Sequence, residues 1–249
     1  MGDLIPTNID DFIEDFLKNS LQIDVLDYQK LESGGEGYTI LYVSNLEEAQ
    51  INVLKSAGFE QIKSDLWIYE GFEANLEGLK DSTRGYFENL QKEKWNELIY
   101  LRQQIDNTFY TKHGKEAMFR TTHNTPRIVL KWHGRLAFDE STLNDFISDL
   151  NKLLGVGKVE ELFNSSRFIK GIRYLRNVTI AHDSSKINQI EVANKYLEDI
   201  VANKYLEDII GTPYLKYWFQ FISVQLRLIE DGIEFLRGEV KEKEDEHFR

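Results

Sequence analysis

The apolar pattern changes its period near residue 75, and this change constrains the fold more than any other feature. Before it, short apolar runs alternate with turn residues, and "QIDVLDYQKL", "YTILYVS" and "QIKSDLWIYEG" predict three strands. Helices are predicted over "PTNIDDFIEDFLKNS", capped by Thr7 or Asn8, and over "NLEEAQINVLKSAGF", capped by Asn45, and they complete an α-β-β-α-β order. We therefore expect a small α+β domain over residues 1–75.

After residue 75 the apolar residues recur at helical spacing through most of the remaining chain. The segment "RIVLKWHGRLAF" instead suggests a strand or an extended loop. The predicted fold class is α+β overall, with the small N-terminal domain followed by a mainly α-helical bundle over residues 76–249. The candidate helices of the bundle cover 74–83, 85–110, 140–154, 158–177, 186–210 and 213–240.

The net charge of −12 is distributed unevenly between these two regions. Residues 1–75 contain fifteen acidic residues and four lysines, so they hold a balance of −11, and the remaining 174 residues carry about −1. The total charge would argue against a nucleic-acid partner. Because the acidity belongs to the N-terminal region, the helical region can still bind a polyanion.

The composition also limits the class of protein. No apolar run reaches the roughly 18 residues that span a bilayer, and the N-terminus lacks the basic and then apolar pattern of a signal peptide. The chain has no cysteine, which excludes disulfides and thiolate metal sites. His113, His123 and His133 are ten residues apart and match no metal-ligand spacing. We expect a cytoplasmic protein with no membrane partner, no metal and no other cofactor.

The helix predicted over 158–177 has an unusual charge pattern. Between Leu162 and His182 it carries four basic residues and no acidic residue, and the basic residues follow one another at steps of three: Arg167, Lys170, Arg173 and Arg176. The apolar positions, Leu162 among them, account for the buried side of the helix. The cations either complement the C-terminal end of the helix dipole or line a groove for a polyanion. We assign Arg167, Lys170 and Arg173 to RNA binding.

A second basic segment extends from Lys112 to Arg135. It contains six Lys and Arg residues, one acidic residue, and the aromatic residues Phe119 and Trp132. Cations with interleaved aromatic rings suit single-stranded nucleic acid, because bases stack on the rings. The same two rings are also ordinary candidates for a hydrophobic core, so both interpretations stay open.

The stretch "RNVTIAHD" follows at the end of the basic helix. Arg176 and His182 are 600° apart on a regular helix, which is about 240° round the axis, so they do not lie side by side. The β-branched residues Val178, Thr179 and Ile180 are weak helix formers, and we expect the helix to distort or end there.

Arg176-Asn177-Val178-Thr179-Ile180-Ala181-His182 resembles the R-X4-6-H motif of the HEPN superfamily, whose members are small all-α bundles. The resemblance implies a metal-independent ribonuclease that acts through the ribose 2′-OH, with Arg176 and His182 as catalytic residues and Asn177 orienting them. It also implies a homodimer, because HEPN sites form where two bundles meet. One departure is Ser184, which stands where some HEPN toxins carry a tyrosine.

The "RN…AHD" form is similar to HEPN proteins of bacterial abortive-infection and toxin–antitoxin systems. It therefore implies a role in antiviral defence, with an antitoxin or regulatory protein as a further partner. Two other functions remain open. One is a HEPN-like module that binds a nucleic acid or a nucleotide without cleaving it, and the other is a regulatory protein-interaction module that uses the acidic domain.

One internal repeat is present. "VANKYLEDI" occurs at 192–200 and again at 201–209. Nine residues advance a helix by 900°, so a regular helix would direct Tyr196 and Tyr205 to opposite faces. We interpret the repeat as a tandem duplication that lengthens one helix by about 13 Å.

Overall fold

The computed structural model describes residues 7–33, 36–74, 76–113, 117–181, 195–196 and 218–240. The chain divides into two compact units, Met1–Phe87 and Glu88–Arg249. The division falls inside the longest helix, α3 (Leu76–His113). An antiparallel sheet followed by a mainly helical region confirms the predicted α+β class.

The first unit is a four-stranded antiparallel sheet with two helices. The strands of this sheet lie in the order β2-β3-β5-β4, and the short strands β1 and β6 pair with each other. The elements are β1 (Thr7–Asn8), α1 (Ile9–Asp11), β2 (Asp24–Ser33), β3 (Glu36–Ser44), α2 (Glu48–Ser56), β4 (Glu60–Lys63), β5 (Leu66–Glu70) and β6 (Glu73–Ala74), and α1 continues as a π-helix over Phe12–Ser20.

The core of this unit comes from the alternation of β3 and from the apolar side of α1. Leu41 and Val43 of β3 are buried, and Trp67 of β5 lies opposite Leu41. Phe12 and Phe16 are fully buried with their ring centroids 5.3 Å apart. Asn8 caps α1 as predicted, because its Oδ1 accepts a hydrogen bond from the backbone N–H of Asp10 at 3.0 Å.

Two predictions for this unit are wrong. The segment predicted as a third strand is a hairpin, in which β4 and β5 pair on either side of a turn at residues 64–65. Ser64 and Asp65 are turn-forming residues, and they divide one apolar run into two strands. The cap of α2 is Glu47 rather than Asn45, which has a φ of +50°. Glu47 and Gln50 form a reciprocal capping box.

The second unit is a helical bundle built on the C-terminal part of α3. Its helix α5 packs against α7 and α8, and the core contains Trp95, Trp132 and Phe146. The further helices are α4 (Thr125–Lys131), α5 (Glu140–Leu154), α6 (Lys158–Leu162), α7 (Arg167–Ala181) and α8 (Trp218–Phe235), which continues as a π-turn over Leu236–Val240.

The helix boundaries of this unit differ from the prediction in three places. The helices predicted at 74–83 and 85–110 are the single helix α3. The segment expected to be a strand or loop begins with α4, which has Pro126 in its first turn, where proline is compatible with a helix. The helix predicted over 158–177 is divided into α6 and α7, and Leu162, expected to be buried, is 37% exposed.

The part of the chain that the structure describes contains no helix both long enough and apolar enough to cross a bilayer. Most of the helix predicted at 186–210 lies outside the described residues, as does Tyr205. Tyr196, from the first copy of the repeat, is described.

Tyr196 packs against α7 at a glycine. Its side chain is 4% exposed, and its hydroxyl donates a hydrogen bond to Oδ2 of Asp231 on α8 at 3.0 Å. A Cβ atom at Gly171 would lie 2.5 Å from the tyrosine ring, so α7 accepts this ring only because residue 171 has no side chain. Burial, reinforced by the Asp231 carboxylate, raises the pKa of the Tyr196 hydroxyl far above its ordinary value. The hydroxyl therefore stays protonated as a donor.

Two glycine-to-alanine substitutions should have opposite effects on stability. Gly171→Ala should destabilise the fold by about 1–3 kcal/mol, because the new methyl group overlaps the buried Tyr196 ring. Gly85→Ala, at an exposed position of α3 with no neighbour within 4 Å, should stabilise by up to about 1 kcal/mol through helix propensity. Urea unfolding followed by circular dichroism measures both. Equal stability of the two variants would contradict the close packing of Tyr196 on α7.

Candidate functional site

The predicted site residues lie along α7. Its core side consists of Phe168, Ile169, Ile172 and Leu175, which are all buried. Because these positions turn one side of the helix to the core, Arg167, Lys170 and Arg173 lie on the remaining side, whereas Arg176 lies at about the same angle round the axis as the apolar positions. Arg167 is exposed, and Lys170, Arg173 and Arg176 are half-buried. The structure thus brings three of the four basic residues onto the accessible side of one helix, with Arg176 turned towards its apolar side.

Arg176 and Asn177 are in direct contact. Nη2 of Arg176 donates a hydrogen bond to Oδ1 of Asn177 at 3.0 Å, and both side chains are half-buried. The contact orients the guanidinium group, whose planar fork of five N–H donors matches two oxygens of a phosphate. Asn177 is therefore able to position Arg176, which is one of the roles expected for it.

His182 directly follows the last residue of α7, Ala181, and lies outside the described residues. The helix continues through Val178, Thr179 and Ile180, where the sequence predicted a distortion or an end. The apolar side of α7 contributes far more free energy through burial than a few tenths of a kcal/mol per residue of unfavourable helix propensity.

Two of the three residues assigned to RNA binding have partners inside the second unit. Nη2 of Arg173 lies 3.2 Å from Oε1 of Glu160 on α6. The guanidinium carbon of Arg167 lies 5.8 Å from the ring centroid of Tyr196, which is a cation–π distance. Lys170 has no ion pair among the described residues, and its backbone N–H bonds to the carbonyl of Ser166.

The Glu160–Arg173 pair could not be predicted from the sequence pattern. In one continuous helix these residues would be 13 positions apart, or about 20 Å along the axis. The break between α6 and α7 instead brings the two side chains within 3.2 Å of each other. The absence of acidic residues along the sequence of α7 therefore does not mean that its surface has no acidic neighbour.

The second basic segment is a structural element of the bundle. Phe119 and Trp132 are fully buried, so the interpretation of these rings as a stacking surface is wrong and the core interpretation is confirmed. Lys131 packs its ammonium group 4.7 Å from the ring centroid of Trp132 and pairs with Asp149 at 2.8 Å. These contacts make Lys131, one of the six cations of the segment, part of the folded structure.

Asp149 is the centre of this polar cluster. It is 6% exposed and accepts hydrogen bonds from Trp132 Nε1 at 3.0 Å and from the ammonium groups of Lys131 and Lys152, both at 2.8 Å. Burial by itself raises the pKa of the Asp149 carboxyl. The hydrogen bonds outweigh burial, so the pKa lies below its ordinary value and the group is ionised at neutral pH.

A second buried ion pair anchors the start of the same segment. Arg102 is buried, pairs with Asp106 at 3.2 Å, and donates from Nε to the carbonyl of Leu153 at 3.0 Å. The Asp106 carboxylate accepts the backbone N–H of Phe119 at 2.9 Å. Because both partners bond to the backbone, the pair holds the chain around Phe119 in place and is not a candidate for chemistry.

The residues that the structure describes include no candidate metal site beside α7. Within the described ranges, no three His, Asp or Glu side chains are grouped so that they could hold a metal ion, and His123 and His133 are both exposed. Comparison of the chain with protein-family models, curated proteins and solved structures finds no match. The assignment of α7 therefore rests on its own residues.

Substitution of Asp149 tests the structural role of the second basic segment. Asp149→Asn should lower stability at pH 7 by about 1–3 kcal/mol, because the buried donors lose a charged acceptor. The folded-state pKa is depressed, so the stability from Asp149 is complete above its unfolded value of about 3.9 and is lost as the pH falls through the folded value. The difference between parent and variant should therefore shrink below about pH 4.

Urea unfolding at pH 7, 5, 4 and 3 measures this difference. Asp145→Asn is the matched control, because Asp145 also contacts Lys131, at 3.3 Å, but is exposed. Its effect should stay within about 0.5 kcal/mol at every pH. A stable Asp149→Asn protein at pH 7 would contradict the structural assignment of the cluster.

Proposed function

We propose that the chain is a metal-independent endoribonuclease of the HEPN type that cleaves RNA through the ribose 2′-OH. The observation that carries the proposal is the Arg176–Asn177 contact near the end of α7, on a helix whose accessible side is basic. His182 follows directly after that helix. The proposal includes a cytoplasmic location and a role in bacterial defence or a toxin–antitoxin system, with an antitoxin or regulatory protein as partner.

The chemistry assigns a distinct role to each residue. The 2′-oxygen attacks the adjacent phosphorus and the bond from phosphorus to the 5′-oxygen breaks, which leaves a 2′,3′-cyclic phosphate and a 5′-hydroxyl. A neutral imidazole of His182 takes the 2′-OH proton, or its protonated form supplies a proton to the leaving 5′-oxygen. Arg176 holds the scissile phosphate and stabilises the charge that develops on it. DNA is not a substrate, because it lacks the 2′-OH.

A homodimer supplies the second set of residues that this chemistry uses. On a regular helix Arg176 and His182 would lie about 240° apart round the axis, so a single copy of the chain would not direct both at one phosphate. Two-fold symmetry places two copies of each residue at one interface, and Arg176 of one copy then acts with His182 of the other.

Binding of RNA without cleavage is the second candidate function. The accessible row of Arg167, Lys170 and Arg173 favours it, because phosphate binding needs these cations but no proton transfer. The two functions differ in the consequence of losing His182.

Replacement of the catalytic residues separates cleavage from binding. His182→Ala should reduce RNA cleavage by about 10²–10⁴-fold with little change in RNA affinity. Arg176→Lys keeps the charge but loses the planar fork, and should cost about 10²–10³-fold in cleavage with a smaller loss of affinity. The assay is cleavage of end-labelled RNA in EDTA, with detection of 2′,3′-cyclic phosphate ends.

His133→Ala is the matched control, because His133 is exposed and lies outside α7. It should cleave at the parental rate. If the parent binds RNA and produces no cyclic phosphate, the second candidate function replaces the first. If His182→Ala cleaves as fast as the parent, the catalytic assignment is wrong.

The salt dependence of RNA binding tests the basic side of α7. Replacing Arg167, Lys170 and Arg173 together by glutamine should reduce the slope of log affinity against log salt by up to about 2, since each lost phosphate contact contributes about 0.7 on a single strand. The control replaces three cations outside α7, Lys55, Lys63 and Lys92, which are exposed. Fluorescence anisotropy with a labelled RNA measures both slopes, and an unchanged slope for the α7 variant would place the RNA elsewhere on the protein.

A further inference from the structure

The strand β2 forms an open edge of the sheet in the first unit. It is ten residues long and pairs on one side with β3, and no described strand pairs with its other side. Two leucines of this strand are exposed, Leu26 at 64% and Leu31 at 46%. A long edge strand with exposed apolar side chains is a place where an extended chain can add to a sheet through backbone hydrogen bonds.

A cavity of about 570 Å³ lies beside the C-terminal half of the same strand. Its lining residues come from both sheets of the first unit: Asn8, Lys30, Glu32, Phe72 and Glu73. The Phe72 ring packs over Gly37, which is the register partner of Glu32, and a Cβ at residue 37 would lie 2.5 Å from that ring. The glycine therefore seats the phenyl ring in the wall of the cavity, next to a carboxylate.

The charged residues that line the cavity favour a cationic ligand. Lys30 is the one cation among the described lining residues, and its ammonium group is held by Asp10 on α1 at 2.6 Å. The carboxylates of Glu32 and Glu73 then give the cavity a negative balance. A side chain with a long apolar stem and a cationic end fits this arrangement, with the stem on Phe72 and the cation between the two carboxylates. Arginine and lysine have this form.

A second copy of the chain fits this edge poorly. β2 carries Asp24, Asp27 and Glu32 against the single cation Lys30, so two copies of β2 would place like charges in neighbouring strands. Residues 1–75 hold an overall balance of −11, which adds to the repulsion between two such edges. A basic chain would instead be attracted to this edge, because the carboxylates along β2 can pair with its cations.

We propose that the β2 edge and its adjacent cavity bind an extended basic segment of a partner protein. The segment adds to the sheet as a further strand beside β2, and one of its arginine or lysine side chains enters the cavity between Glu32 and Glu73. The site is separate from α7, and the proposal does not rest on the ribonuclease assignment.

The test uses the full chain and a defined probe. The probe is a fluorescein-labelled ten-residue peptide that alternates arginine with valine or threonine, and binding is followed by fluorescence anisotropy. Replacing Glu32 and Glu73 together by glutamine should weaken binding by about tenfold or more, because the cavity loses both carboxylates. The matched control is Glu48→Gln with Glu60→Gln, which removes the same charge at two exposed positions away from β2. It should bind within about twofold of the parent.

Two further peptides test the geometry without changing the protein. A peptide with citrulline in place of arginine keeps the shape and loses the charge, and a peptide with N-methyl groups on alternate residues loses the backbone donors of one edge. Both should bind at least about tenfold more weakly if the segment is a charged, added strand. Equal binding of the N-methylated and parent peptides would overturn strand addition.

Two other results would also overturn the proposal. One is equal weakening by the control variant, which would indicate a general attraction between opposite charges. The other is a dimer in sedimentation velocity that dissociates with Leu26→Lys, which would show that a second copy occupies the edge. The same titration with His182→Ala keeps the two proposals apart, because peptide binding should be unchanged whether or not the parent cleaves RNA.

Discussion

The burial of the apolar side of α7 is the interaction on which the candidate site depends. Phe168, Ile169, Ile172 and Leu175 fix the rotation of the helix about its axis, and Tyr196 packed on Gly171 leaves it no room to turn. Once this rotation is fixed, Arg167, Lys170 and Arg173 are directed to the accessible side. The basic side of α7 is thus a consequence of core packing, and a substitution in the core that rotates α7 would move every cation at once.

The buried charged groups of the second unit form ion pairs and hydrogen bonds with one another and with the backbone. These contacts determine which charges remain for a partner. Asp149 is surrounded by two ammonium groups and an indole N–H, and Arg102 is joined to Asp106 and to backbone carbonyls. Buried charges without such partners would cost several kcal/mol each, so these groups are needed for folding and cannot also bind a ligand. Lys131, the cation of Lys112–Arg135 that joins this network, is therefore removed from the polyanion surface, although in the sequence it looks equivalent to the cations of α7.

The sequence was sufficient for the fold class, the cap at Asn8, the helix α5 and the apolar side of α7, because each depends on the local period of apolar residues or on a single capping side chain. It was insufficient where contacts between segments distant in sequence determine the local structure or the burial of a side chain. The turn at residues 64–65 lets the two halves of one predicted strand pair with each other, and the break after α6 brings Glu160 to Arg173 across a separation that no helical period encodes. Phe119 and Trp132 have the same local context as surface aromatic residues, and only the packing of α3, α4 and α5 around them makes them core.

The regular course of α7 also limits how Arg176 and His182 can act together. The helix is continuous to Ala181, and five residues at 100° each place that position about 140° from Arg176 round the axis. If His182 extends the helix, it lies about 240° from Arg176, and both side chains reach one phosphate only when a second copy supplies one of them. If the chain instead leaves the helix at His182, the imidazole has to fold back over the last turn, towards Arg176.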